Sequence, residues 1–143
     1  MPPSKVIVIM PAYNAEQTIK KTLDEIPRAW VDEIILVDDA SRDRTVEVAK
    51  RLGLQVICHP KNRGYGGNQK TCYRAALERG ADIVVMVHPD NQYDPSVVPQ
   101  LIEPIRAENI DIMFGSRMVY WRNALKGKMP LYKFFSNIFL TFL

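Results

Sequence analysis

The sequence predicts an α/β domain with a mostly parallel central sheet flanked by helices. Short apolar runs alternate with helix-spaced apolar residues along most of the chain. Those runs are continuous rather than alternating, as strands buried on both faces require. The connections between them are short, which suits right-handed β-α-β crossovers.

Taken in order, Val6-Ile7-Val8-Ile9-Met10 reads as a buried strand broken by Pro11. Ile19, Leu23 and Ile26 follow at helical spacing, and that helix ends before Pro27. Glu33 to Val37 is the second strand. Thr45, Val48, Ala49 and Leu52 mark a helix closed by Gly53, a good C-terminal stop. Leu54 to Cys58 is a short third strand. The stretch Asn62-Arg63-Gly64-Tyr65-Gly66-Gly67-Asn68 reads as a flexible loop, with phosphate or sugar contact as its second reading. It leads into a helix that runs to about Arg79 and stops at Gly80. Asp82 to Val87 is the fourth strand.

Asp94 then has the character of an N-cap, with Pro95 at the first helical position. Val97, Val98, Leu101, Ile102 and Ile105 share one helical face, while Pro99 and Pro104 predict a kinked or two-piece helix. Ile110 to Gly115 reads as a fifth strand. Beyond Met118 no further β-α unit follows, and Phe134, Phe135, Ile138, Phe139, Leu140, Phe142 and Leu143 crowd the end. That tract of about ten residues is too short to span a bilayer, and it is hard to leave in water. It packs on the sheet or a partner, lies along a membrane surface, or belongs to a chain that has been cut; a cut is the favoured expectation.

A length of 143 residues suits one domain with a real core. The net charge of +3, with Lys and Arg scattered rather than blocked, gives no support to nucleic acid as a partner. Cys58 and Cys72 have no metal-ligand spacing and read as reduced thiols of a cytoplasmic protein. The N-terminal apolar run is too short for a signal peptide.

The chemistry concentrates at strand ends. The first strand ends in Pro11-Ala12-Tyr13-Asn14, the second in Asp38-Asp39-Ala40-Ser41, and the fourth in His88-Pro89-Asp90-Asn91-Gln92-Tyr93-Asp94-Pro95. In a parallel sheet all three arrive at the edge where open α/β sheets bind ligands. Tyr13 offers a face for a base to stack on. Asp38 and Asp39 can accept hydrogen bonds from base N–H groups or ribose hydroxyls. Asp90 can bind a hard cation that bridges phosphate oxygens. His88, two residues before it on an extended backbone, would point to the same side and share that cation. Ser41 and Asp43 read better as helix caps. The Gly64, Gly66, Gly67 cluster matches neither a P-loop nor a dinucleotide fingerprint.

These motifs in this order, with Gly115-Ser116-Arg117 after them, resemble family 2 glycosyltransferases of the GT-A fold, in the branch that includes dolichyl-phosphate mannose synthases. The likeness spans about residues 4 to 118. It implies a Rossmann-like nucleotide-sugar-binding core at 1–118, with 119–143 the start of an acceptor-side or membrane-proximal segment. It implies inverting transfer of a sugar from a nucleotide-diphosphate donor to a polyprenyl phosphate or saccharide. Pro11, Tyr13, Asn14, Asp38 and Asp39 would hold the nucleoside. Asp90 would bind a divalent cation, Mn²⁺ or Mg²⁺, with His88 beside it and Gln92 nearby, and is the expected catalytic residue. Arg117 would face the phosphate or acceptor side.

Two positions depart from that pattern. His88 stands where the metal-binding motif usually begins with Asp, and an imidazole suits Mn²⁺ or another transition ion better than Mg²⁺. Ala15 stands where the mannose synthase branch often has Glu, with Glu16 one step on, so the donor base is open. An inverting enzyme with a hydroxyl acceptor needs a base, whereas a phosphate acceptor does not. The competing readings are a nucleotide-sugar-binding module without catalysis, a receiver-type domain and a nucleotidyltransferase. The last two want an acidic pair or a glycine-rich basic loop after the first strand, and neither is there. The expected location is the cytoplasm, at a membrane face if the acceptor is a lipid phosphate. Self-association as a homo-oligomer is left open.

Overall fold

The computed structural model describes residues 4–107 and 110–115. The elements follow the predicted order: β1 (Val6–Ala12), α1 (Ile19–Glu25), β2 (Glu33–Asp38), α2 (Thr45–Arg51), β3 (Gln55–Cys58), α3 (Gly64–Glu78), β4 (Ile83–Met86) and α4 (Val98–Arg106). The four strands form one sheet in the order β3-β2-β1-β4, and every pairing is parallel.

Alternation along the strands sorts the core onto two faces. Val6, Val8 and Met10 of β1 and Ile34 and Leu36 of β2 pack with Ile19 and Leu23 of α1, Ala49 of α2, and Val98 and Ile102 of α4. Ile7, Ile9, Ile35 and Val37 point the other way, onto Cys72, Ala75 and Ala76 of α3. The small alanines let α3 lie close to the sheet. Burial on both faces is why the strands read as unbroken apolar runs.

β1 does not stop at Pro11. It continues to Ala12 and pairs with β2 through Pro11↔Val37 and Ala12↔Asp38. Backbone direction explains the tolerance. Ile9 O accepts from Val87 N of the β4 side, while Ala12 O accepts from Asp39 N of the β2 side. Residue 11 shares the orientation of residue 9, so its missing N–H would face β4, whose register with β1 has ended at Ile9↔Met86. A proline there removes no bond that the sheet is making.

Of three further expectations, that for the proline-bearing helix holds and the other two change. The glycine-rich stretch is not a loop but the first turns of α3, which begins at Gly64 with φ +76°. The proline-bearing helix is two-piece, a 3-10 turn at Pro95–Val97 followed by α4. Asp94 caps it as predicted, its carboxylate accepting from Ser96 N at 2.9 Å. Ile110 to Gly115 is exposed coil rather than a fifth strand, with Ile112 68% exposed. Its apolar residues signalled burial, but a strand also needs a neighbour, and among the described residues none pairs with it. The compact unit built by these elements ends at Met113. The predicted segment 119–143 and Arg117 lie outside the described residues.

Candidate nucleotide-sugar site

Because all strands run parallel, Tyr13, Asp39, His59 and His88 leave the sheet along one edge. Strain collects in the loops there. The three non-glycine residues with positive φ among the described residues are Asn14 (+52°), Ala40 (+60°) and Asn91 (+56°). They follow β1, β2 and β4 in turn. Asn tolerates the left-handed region, but Ala40 is held there only because its surroundings impose it.

What imposes it is a set of bonds between the loops after β1 and β2. Asn14 N donates to Ser41 Oγ at 2.8 Å, and Arg42 N donates back to Asn14 Oδ1 at 2.9 Å. Ala15 N reaches Thr45 Oγ1 at 2.7 Å. Glu16 N donates to Asp43 Oδ2 at 3.1 Å, and Arg44 N donates to Glu16 Oε2 at 2.8 Å. Asn14, expected to touch the nucleotide, therefore uses its side-chain carbonyl to join the two loops. Ser41 does the same and is no helix cap. Asp43 is not the N-cap of α2, which is Arg44, but from one residue before it its Oδ1 accepts from Thr45 N at 3.0 Å. Burial pushes the Asp43 carboxyl up, but the bonds from Thr45 and Glu16 outweigh that and hold it below the ordinary value. Glu16 does not stand in for the Glu missing at Ala15, since Arg44 takes its carboxylate. An open cleft of about 530 Å³ lies beside these loops, lined by Asn14, Glu16, Gln17, Thr18, Arg42 and Asp43.

The two adjacent aspartates have different fates. Asp39 is buried at 3% exposure, and its Oδ1 lies 2.7 Å from His59 Nδ1 and accepts from Arg63 N at 2.8 Å. His59 Nε2 lies 2.9 Å from Thr71 Oγ1 of α3. Burial raises the Asp39 carboxyl, yet the bond from His59, the Arg63 amide and the His59 ring together hold it below its usual range. Asp39 thus fastens the start of α3 to the sheet edge. Asp38, on the opposite face, accepts from Ser41 N at 3.0 Å through Oδ2. Its Oδ1 is buried without a partner, the one such side-chain atom among the described residues. A buried carboxylate oxygen left unpaired points to a donor from outside the chain. Tyr13, 48% exposed, stands one residue beyond Ala12, the β1 partner of Asp38. Pro11 is buried in β1 and serves the strand.

At the end of β4 the chain turns at Pro89–Asp90 instead of staying extended, so the premise that put His88 and Asp90 side by side fails. Thr18 Oγ1 donates to Pro89 O, and Thr22 Oγ1 donates to Asn91 Oδ1 at 3.0 Å, tying this turn to α1. Asp90 is exposed, and its Oδ1 accepts from Gln92 N at 2.9 Å. His88 is held by Tyr65, whose Oη lies 3.2 Å from Nε2. Among the described residues no three His, Cys, Asp or Glu side chains gather to hold an ion. Asp90 still fits one, because a cation carried on a diphosphate takes most of its oxygens from phosphate and water and needs few protein ligands.

Reading the sequence missed His59, Thr71 and Asn68. Asn68 is buried and donates to Ala12 O at 3.4 Å and Val37 O at 3.1 Å, joining the ends of β1 and β2 to α3. The signal for His59 was available: like His88, it directly follows a strand at the ligand edge.

The glycosyl transferase family 2 model matches residues 7–140. The chain belongs to that family. Among its relatives, the UDP-N-acetylglucosamine–dolichyl-phosphate N-acetylglucosaminyltransferase of Methanococcus voltae is 33% identical over 96% of this chain and 61% of its own length. The dolichol-phosphate mannosyltransferase of Pyrococcus furiosus is 36% identical over 80% of this chain and 34% of its own. Glucosyl-3-phosphoglycerate synthase from Mycobacterium tuberculosis, solved with Mn²⁺, UDP and glucosyl-3-phosphoglycerate, superposes with a TM-score of 0.60 at 30% identity, covering 72% of this chain and 40% of that one. The chain thus spans less than two thirds of the length of each of these relatives. The parallel α/β sheet is that of GT-A glycosyltransferases.

Proposed function

We propose that this chain binds the nucleoside diphosphate of a sugar donor along the C-terminal sheet edge and serves an inverting transfer of the sugar to a polyprenyl phosphate. The unpartnered Oδ1 of Asp38 carries the reading, because it needs a donor that a base N–H or ribose hydroxyl supplies. Tyr13 stacks on the base. Its backbone is set by the bonds between Asn14 and the Ser41–Arg42 segment. Asp90 is the residue for the cation, and a bound Mn²⁺ or Mg²⁺ supplies charge neutralisation to the departing diphosphate.

In the transfer, the bond between the anomeric carbon and the diphosphate oxygen breaks while a bond to the acceptor oxygen forms on the opposite face. The transition state has oxocarbenium character, and negative charge builds on the leaving group. A phosphate acceptor is already anionic at neutral pH and needs no base. Two relatives named for transfer to dolichyl phosphate support that acceptor. The test is incubation of the chain with UDP- or GDP-sugars and Mn²⁺, with polyprenyl phosphate and a saccharide offered together as acceptors. A sugar-linked lipid of inverted anomeric configuration is the expected product. Retained configuration contradicts the inversion, and a saccharide but no lipid product contradicts the acceptor.

A further inference from the structure

His88 is clamped from the side of α3. The Tyr65 ring stacks on it with centroids 5.6 Å apart and planes 18° from parallel, and its Oη lies 3.2 Å from Nε2. A phenol O–H is a far better proton donor than a neutral imidazole N–H, and the bare ring nitrogen is the better acceptor. The bond therefore runs from Tyr65 to Nε2. A neutral imidazole that accepts at Nε2 carries its proton on Nδ1, so its one available lone pair is engaged by the phenol and Nδ1 offers a donor. Nδ1 has no partner among the described residues, and it is not buried unsatisfied. On this tautomer it is a donor that is not fully buried, on a half-buried ring two residues before Asp90.

The geometry points to His88 as a hydrogen-bond donor to the diphosphate, with Tyr65 as its positioning residue, and not as a ligand of the cation that Asp90 holds. This role rests on the nucleotide-diphosphate reading of the edge. An N–H aimed at an anion makes a short, charge-assisted bond. The stacking contact fixes the ring before the ligand arrives, so little ordering is left for binding.

His59 and His88 are the two histidines of the chain, so their ring nitrogens separate readily by long-range proton–nitrogen NMR on the isotope-labelled full chain. His88→Asn assigns the pair. The expected His88 ring is neutral and protonated on Nδ1, responds to UDP or GDP, and stays still with Mg²⁺ alone. Tyr65 is 66% exposed, so Tyr65→Phe leaves the fold intact. It should move the ring toward the Nε2-protonated form and weaken UDP or GDP binding about three- to tenfold. A wild-type ring protonated on Nε2, or one that shifts with Mg²⁺ alone, overturns the role of His88 while nucleotide binding stands. If neither nucleotide moves any resonance of the chain, the nucleotide reading and this role fall together.

Discussion

Asp38, the last residue of β2, and Asp39, the first beyond it, have the same side chain, yet they face opposite ways, and only Asp38 keeps a buried acceptor without a partner. Asp38→Asn should keep the bond from Ser41 N, relieve a buried charge and so leave the urea midpoint unchanged or raised. It should still weaken nucleotide-diphosphate binding tenfold or more, on the order of a lost charged hydrogen bond; calorimetric affinity beside a denaturation curve checks both. Asp90→Ala should abolish the metal dependence of donor binding and leave the fold intact, and persistence of that dependence would place the cation elsewhere. The cysteines give a simpler check. Burial pushes the Cys72 thiol up to about 12, whereas Cys58 is exposed. A thiol reagent at neutral pH should label Cys58 and spare Cys72 until the chain unfolds.

At the scale of elements, the order of strands and helices from β1 to α4 was legible because continuous apolar runs, helix-spaced apolar residues and glycine stops all agree. Two readings failed for want of partners that spacing does not reveal. Pro11 looked like a strand end because its lost N–H is harmful only where a neighbouring strand waits for it. Ile110 to Gly115 looked like a strand because apolar residues do not say whether a ladder is available. Nor does spacing show that Asn14, read as a nucleotide contact, and Ser41, read as a helix cap, bond each other's loops. Asp43→Ala removes the acceptor for Thr45 N and Glu16 N together, and should cost about 1–2 kcal/mol in urea unfolding. In the core, Ile9→Ala opens a cavity where β1 faces α3 and should cost about 2–5 kcal/mol.

For the whole molecule, parallel pairing gathers the polar ends of distant segments onto one edge, and hydrogen-bonded carboxylates hold that edge in shape. Asp39 and Asp43 both sit below their ordinary value of 3.8 in the folded chain. A depressed carboxylate stabilises the fold fully above that value, and the contribution is lost as the pH falls through the folded pKa. Stability should therefore drop on acidification below about pH 4, and Asp43→Asn should flatten part of the drop in urea midpoints measured between pH 6 and 3. The central claim, a nucleotide-diphosphate site completed by a cation at this edge, is tested most directly by isothermal titration of the chain with UDP-, GDP- and dTDP-sugars, with and without Mn²⁺. Saturable binding of at least one donor that strengthens with Mn²⁺ is the result expected; no metal-dependent binding of any of them would contradict it.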